Sequence, residues 1–132
     1  VSPNWLEAQT IYGFGDPVAL VRAMLDDGAN VAALRLGEQG SIAGRQGEPD
    51  LLRVPAVPVP QIVAQTGAGN TYCGGFLVGW CETGDLAEAA CCGAVAASFA
   101  LEVTGVADPP ENYVALREAR RQELVSRLTV TH

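Results

Sequence analysis

Apolar residues recur in two periods along this chain, and the switches between them mark its elements. Val18, Val21, Met24 and Leu25 share one face of a helix predicted over residues 17–27, with Pro17 suited to its first turn and Gly28 closing it. Asn30 to Leu36 is an apolar run of strand length rich in Val, Ala and Leu, which reads as a buried strand of parallel-sheet type. Gly37 to Gly40 then turns the chain into a second strand around Ser41–Ala43, and residues 44–50 form a polar turn. Leu51–Val54 precede Pro55, Pro58 and Pro60, whose spacing suits an edge or an extended crossover, and Ile62–Val63 is the expected last strand.

Helical periodicity dominates from there. A helix is predicted from Asn70 to about Glu82 although Gly74, Gly75 and Gly79 each cost roughly 1 kcal/mol against Ala in a helix interior. A close approach of a neighbouring element would explain that cost. Thr83–Gly84 stops this helix, Asp85 caps the next, and Leu86 to about Val103 is so rich in Ala and Cys that it must be buried on most sides. Pro109–Pro110 opens a final polar helix, with Tyr113, Leu116, Leu124 and Leu128 as its apolar side and Arg117, Arg120 and Arg121 expected to face solvent. The first ten residues read as a loop feeding a short helix capped by Asn4, with Glu7 at capping-box spacing. The sum is an α/β fold, a layered sheet flanked by helices in a single domain over residues 1–132, whose ligand should sit beyond the carboxyl ends of the strands.

One junction carries chemistry. Thr66-Gly67-Ala68-Gly69-Asn70 is a glycine-rich turn that opens directly into an apolar helix. Glycine lets backbone approach a ligand closely, and the first N–H groups of a helix present donors and a positive dipole end, so an anion such as phosphate is the natural guest. Two familiar phosphate motifs fail on spacing: a dinucleotide fingerprint from Gly67 needs glycine where Tyr72 stands, and a Walker-type loop from Gly69 needs lysine where Gly75 stands.

The stretch instead resembles the signature of the ribokinase-like, or PfkB-type, carbohydrate kinases, D-T-x-G-A-G-D with G-G-F shortly after, here Ala64-Gln65-Thr66-Gly67-Ala68-Gly69-Asn70 and Gly74-Gly75-Phe76. Three further stretches follow the family's order. Ser2-Pro3-Asn4-Trp5-Leu6-Glu7-Ala8 looks like its P-N-x-x-E element and Leu34-Arg35-Leu36-Gly37-Glu38-Gln39-Gly40-Ser41 like its strand-to-turn LGxxG element. Asp85–Leu86 through Thr104-Gly105-Val106-Ala107 is similar to its long Ala-rich helix and closing turn. The resemblance implies the C-terminal, nucleotide-binding half of an ATP-dependent kinase that phosphorylates a sugar or nucleoside hydroxyl. It implies an anion hole at Gly67, Ala68 and Gly69, nucleotide contacts from Leu36, Gly37, Gly40, Thr66, Gly67 and Gly69, and Mg2+ held through water by Asn4 and Glu7. The capping-box reading of Asn4 and Glu7 stands beside that role, since one pair can serve both.

Three positions depart from the family. Asn70 occupies the place of its general base, an Asp, and an amide cannot accept that proton at neutral pH. Ala64 and Gln65 replace the Asp-Thr beside a monovalent cation, which argues against potassium activation. Kinase activity and a catalytically inactive nucleotide- or phosphate-binding scaffold therefore both stay open, as does a structural domain without a ligand.

Composition narrows the partners. With 48% hydrophobic and 17% charged residues the chain is a folded globular domain, and no apolar run reaches the roughly 20 residues of a membrane span. A net charge of −7 without a single lysine disfavours nucleic acid and anionic membranes, though backbone amides and a metal still suit a nucleotide. The N-terminus lacks the pattern of an export signal, so a cytoplasmic protein is expected, with homo-oligomers admitted. Cys73, Cys81, Cys91 and Cys92 contain no C-x-x-C pair and read as reduced, buried thiols rather than metal ligands. Cys73 alone falls in the first turn after the glycine loop, where a helix N-terminus lowers a thiol pKa, but packing is its expected role.

Overall fold

A computed structural model describes residues 1–103 and 109–132 of the chain. Among the described residues, helices α1 (Trp5–Tyr12) and α2 (Pro17–Asp26) precede a meander of strands β1 (Val31–Arg35), β2 (Ser41–Arg45) and β3 (Leu51–Val54). Helices α3 (Ala68–Thr83), α4 (Leu86–Leu101) and α5 (Tyr113–Ser126) follow, and strand β4 (Thr129–Thr131) ends the chain. The sheet order is β1-β2-β3-β4, every neighbouring pair antiparallel.

The sheet separates two apolar cores. Ala32, Leu34, Ile42 and Leu51 face α1 and α2, packing on Ala8, Leu20, Val21, Met24 and Leu25. Ala33, Ala43 and Val54 face the other way onto Tyr72, Phe76, Ala89, Ala90, Cys91, Val95 and Leu124 of α3, α4 and α5. Burial on both faces accounts for the continuous apolar run of β1 and for its misreading as a strand of a parallel sheet. Its partner β2 is antiparallel. A parallel neighbour does exist on the other side, where Ala33 N–H donates to Val1 O at 2.9 Å and Arg35 N–H to Pro3 O at 3.1 Å, with a parallel bridge between Asn4 and Arg35.

The second correction concerns Ile62–Val63, which form no strand. Three prolines without N–H donors precede them, and the chain leaves the sheet to reach the end of α4, where Val63 N–H donates to Leu101 O at 2.7 Å. The outer partner of β3 is instead β4, through the register Leu51↔Thr131 to Arg53↔Thr129.

Helix–helix contact repays the glycines of α3. A Cβ on Gly75 would stand 2.6 Å from Cys92 O and 2.7 Å from Ala96 Cβ, and one on Gly79 would stand 2.9 Å from Ala89 Cα. The backbones of α3 and α4 thus approach as no larger residue allows. Helix α4 starts on Asp85, whose side chain accepts from Glu88 N–H at 2.8 Å, and its expected closing turn at Thr104–Ala107 lies outside the described residues.

The arginines of α5 do not face solvent as expected. Arg121 donates to both carboxylate oxygens of Glu88 on α4, at 2.9 and 3.1 Å, and to Glu118. Arg120 bonds Ser98 Oγ at 2.8 Å, pairs with Glu102, and lies 4.2 Å over the Phe99 ring. Of the three, only Arg117 is exposed, 5.8 Å over the Tyr113 ring. Among the cysteines, Cys91 is buried and Cys73 and Cys92 are half-buried, while Cys81 is exposed, contrary to expectation.

Candidate active site

The glycine loop delivers α3 with an open N-terminus. Gly67 sits at the N-cap with φ 89°, a left-handed conformation that glycine adopts without strain, and no side chain caps the helix. The helix begins at Ala68, two residues before Asn70, where the sequence predicted its start. Among the described residues the amides of Gly69 and Asn70 have no acceptor, and Ala68 N–H makes only a long 3.4 Å bond to Gln65 O. Thr71 Oγ1 turns back to Gly67 O at 2.9 Å, which fixes the loop against the helix. Thr66, Gly67 and Asn70 are exposed.

Across from this loop stands the junction of β1 with the first residues. Asn4 caps α1: its side chain accepts from Glu7 N–H at 2.8 Å while Glu7 Oε2 accepts from Asn4 N–H at 2.8 Å, a complete capping box. Arg35, at the carboxyl end of β1, donates from Nε and Nη2 to Ser2 O at 3.2 and 2.9 Å and lies 3.7 Å from Glu7. A Cβ built on Gly69 would collide with Nη1 of the same guanidinium. Asn4, Glu7, Arg35 and Gly69 are thereby gathered at one end of β1. Ser2 Oγ is buried there with no partner among the described residues, and Cys73 Sγ lies 3.9 Å from Ser2 O.

Arg35 lies within the Leu34–Ser41 stretch that resembles the family's strand-to-turn element, but nothing in the sequence assigned it a role in the site. Its neighbours come from positions far apart in the chain, and the only local signal was a charged residue closing an apolar strand.

Leu36 and the Gly37–Gly40 turn follow Arg35. Gly40 has φ 87°, and any Cβ there would run into Val54 O, so both conformation and space demand glycine. A small cleft of about 160 Å³ beside the turn is lined by Leu36, Gln39, Arg53, Pro55 and Arg127 among others. The link between the two glycine turns is Tyr72 in the first turns of α3, whose hydroxyl meets Ser41 Oγ at 3.0 Å. Burial pushes this phenol up to about 12, so it stays neutral and structural. A larger open hollow of about 410 Å³ lies at the opposite end of β2, around Arg22, Arg45 and Pro49, away from both turns.

The metal question can be put to these atoms. No His/Cys/Asp/Glu cluster among the described residues is arranged to hold an ion directly. Asn4 Oδ1 is spent on the cap, which leaves Glu7 Oε1, on a side chain 58% exposed, as the acidic oxygen free to face an ion's water shell. That fits a magnesium ion carried by nucleotide phosphates rather than one caged by protein.

The comparisons with known proteins agree with this architecture. Residues 1–112 match the pfkB family carbohydrate kinase profile, and the chain belongs to that family. Adenosine kinase from Sinorhizobium meliloti is similar at 32% identity and a TM-score of 0.78, over 90% of this chain and 36% of that one. A probable sugar kinase from Rhizobium etli is similar at 25% identity and a TM-score of 0.79, over 92% of this chain and 36% of that one. Arabidopsis thaliana ribokinase, solved with ribose and ATP, is similar at 27% identity and a TM-score of 0.73, over 93% of this chain and 39% of that one. The chain thus spans 36–39% of the length of these three kinases. Comparison with curated proteins gives no match. No helix among the described residues is long and apolar enough to cross a membrane.

Proposed function

We propose that residues 1–132 form one domain, the C-terminal, nucleotide-facing part of an ATP-dependent kinase that transfers the γ-phosphoryl group to a hydroxyl of a sugar or nucleoside in the cytoplasm. The observation that carries this reading is the uncapped N-terminus of α3, where the amides of Gly69 and Asn70 stand open behind a left-handed Gly67. Phosphoryl transfer asks the protein mainly for positioning and for donors around developing charge. Ala68, Gly69 and Asn70 supply those donors, and the side-chain-free Gly67, open on its outer side, lets phosphate oxygens come close. The Leu36–Gly40 turn contacts the nucleotide. A magnesium ion carried by ATP would offset its phosphate charge, and Glu7 would be the residue to hold its water shell.

Proton removal from the acceptor is the step that this chain serves poorly. Asn70 can donate and accept hydrogen bonds but cannot take the proton. Loss of a general base typically costs 10²–10⁴-fold in rate, about 3–5 kcal/mol of barrier, and leaves positioning and charge stabilisation in place. Asn70 therefore also favours a second reading, a nucleotide-binding scaffold without turnover.

Two experiments separate these outcomes. Thermal unfolding is titrated with magnesium–ATP and magnesium–AMP, and a saturable rise, larger for ATP, is expected; ligand at 100 times its dissociation constant adds about 2.7 kcal/mol. No rise at millimolar nucleotide refutes the anion site. Asn70→Asp, in a protein that carries the acceptor-binding part as well, then tests turnover against a panel of sugars and nucleosides: a gain of 10²-fold or more, within the range a general base contributes, marks a kinase limited by its base, whereas no gain with binding intact selects the scaffold.

A further inference from the structure

Helix α3 carries the glycine loop, while β1 and β2 carry the Gly37–Gly40 turn, so a ligand that touches both spans two separate parts of the fold. Little fixes one against the other. Residues 55–67 between β3 and α3 form no helix or strand, and Gly75 and Gly79 turn α3 toward α4. Against the sheet, Tyr72 and Phe76 lie on Ala33, Ala43 and Val54, an apolar contact without direction. Among the described residues a single hydrogen bond joins α3 to a strand: Tyr72 Oη donates to Ser41 Oγ at 3.0 Å. Both residues are buried, Tyr72 5% and Ser41 4% exposed.

The Tyr72 ring is held without its hydroxyl. Gly93 on α4 makes room for it, since a Cβ there would stand 3.1 Å from the ring and 2.9 Å from Tyr72 O, and the Phe76 ring lies 6.1 Å away. Exchanging both members of a buried hydrogen-bonded pair for apolar groups of similar shape is close to neutral in stability. What the pair adds is direction. A hydrogen bond weakens steeply away from its preferred distance and angle, so this one holds the start of α3 at one height over β2, where apolar contact alone would let it slide. Its two ends also sit beside the two turns: Ser41 follows Gly40 directly, and Tyr72 stands two residues past Asn70.

We propose that Tyr72 and Ser41 are positioning residues, their buried hydrogen bond setting the distance between the Gly37–Gly40 turn and the Gly67–Asn70 loop so that one nucleotide reaches both. Being buried, the two hydroxyls act on the ligand only through the turns they hold. The inference rests on the reading of those turns as nucleotide contacts. With the bond broken, the nucleotide itself must order the two turns, and its affinity falls by no more than the bond contributes, about 2- to 12-fold. A ligand that touches one turn alone keeps its affinity.

The test is a set of dissociation constants for magnesium–ATP, which spans both turns, and for magnesium–methyl triphosphate, which has the same phosphates without the nucleoside. They are measured with the wild-type protein, Tyr72→Phe, Ser41→Ala and the double variant, each with its urea midpoint. Wild type should bind ATP more tightly than methyl triphosphate. Tyr72→Phe should lose about 3- to 10-fold for ATP and less than about twofold for methyl triphosphate. Ser41→Ala breaks the same bond from the other side and should do the same, which keeps the test decisive if one single variant folds poorly. The double variant leaves no unpaired hydroxyl, so its midpoint should return toward wild type while the ATP loss remains. ATP affinity that recovers along with the midpoint, equal losses for the two ligands, or no ATP loss in the single variants would overturn the proposal and leave the bond a packing feature. A wild-type protein that binds neither ligand would overturn the anion-site reading, and one that binds both equally would overturn the span across two turns; either takes this inference with it and is visible before any variant is made.

Discussion

Gly74 and Gly75 are neighbours in one helix, and alanine at each should move stability in opposite directions. At Gly74 a new Cβ meets nothing within 4 Å, whereas at Gly75 it would stand 2.6 Å from Cys92 O and 2.7 Å from Ala96 Cβ. Both substitutions gain the same helix propensity, about 0.8–1.0 kcal/mol. Gly74→Ala should therefore stabilise by nearly that amount. Gly75→Ala must also push α4 back by several tenths of an ångström along a backbone that cannot rotate away, and overpacking of this kind costs about 1–3 kcal/mol. The gap between the variants equals that packing cost, because propensity cancels between them. With a urea slope of roughly 1–3 kcal/mol per molar, the midpoints should separate by about 1 M, Gly74→Ala above wild type and Gly75→Ala at or below it. Urea unfolding followed by helical circular dichroism reads this directly. Coincident midpoints, or a Gly75→Ala variant as stable as Gly74→Ala, would refute the account of these glycines as contact points between α3 and α4.

Two other outcomes follow from buried polar and titrating groups. Burial raises Cys91 from 9.0 and Tyr72 from 10.0, each to about 12. Both are neutral when protonated, so the stability tied to them is complete below their ordinary pKa values and is lost as pH climbs toward 12. The urea midpoint should fall steadily above about pH 9, less steeply in Tyr72→Phe, and a flat profile to pH 11.5 would contradict the burial of both groups. Arg120→Met should cost about 1.5–3 kcal/mol by removing the bonds to Ser98 and Glu102, while Arg117→Met on the exposed side should stay within about 0.5 kcal/mol; equal effects in urea melts would show that the α4–α5 contact does not rest on Arg120.

How far the sequence carried this reading depended on whether a signal was local. The capping box of Asn4 and Glu7 and the stop at Gly84 were legible because each involves residues a few positions apart. The glycines of α3 were legible as a cost that required a close neighbour, though not which neighbour. What failed was set by distant partners. β1 was read as a strand of a parallel sheet because two-sided burial gives the same apolar run whichever way the neighbouring strand points. β4 carried no signal, being three residues whose one large apolar side chain, Val130, is exposed, and it is a strand only because β3 needs an outer partner. Arg120 and Arg121 were assigned to solvent because an amphipathic pattern marks a polar face without saying that Glu88 and Glu102 of another helix lie against it. In the candidate site the glycine loop was visible and Arg35 was not, for the same reason.

The pairing of β4 with β3 also sets an order of events during synthesis. The β1–β2–β3 meander is made of near neighbours and can form as soon as Val54 has emerged, but the Leu51↔Thr131 register waits for all of α3, α4 and α5. Closing so long a loop adds little in equilibrium terms, since each doubling of its length costs only about 0.6 kcal/mol. Its effect is on time. Until Thr129–Thr131 have been made, β3 presents an unpaired edge, the template on which a second nascent chain can pair. A strand of three residues thus closes the edge that the meander leaves open.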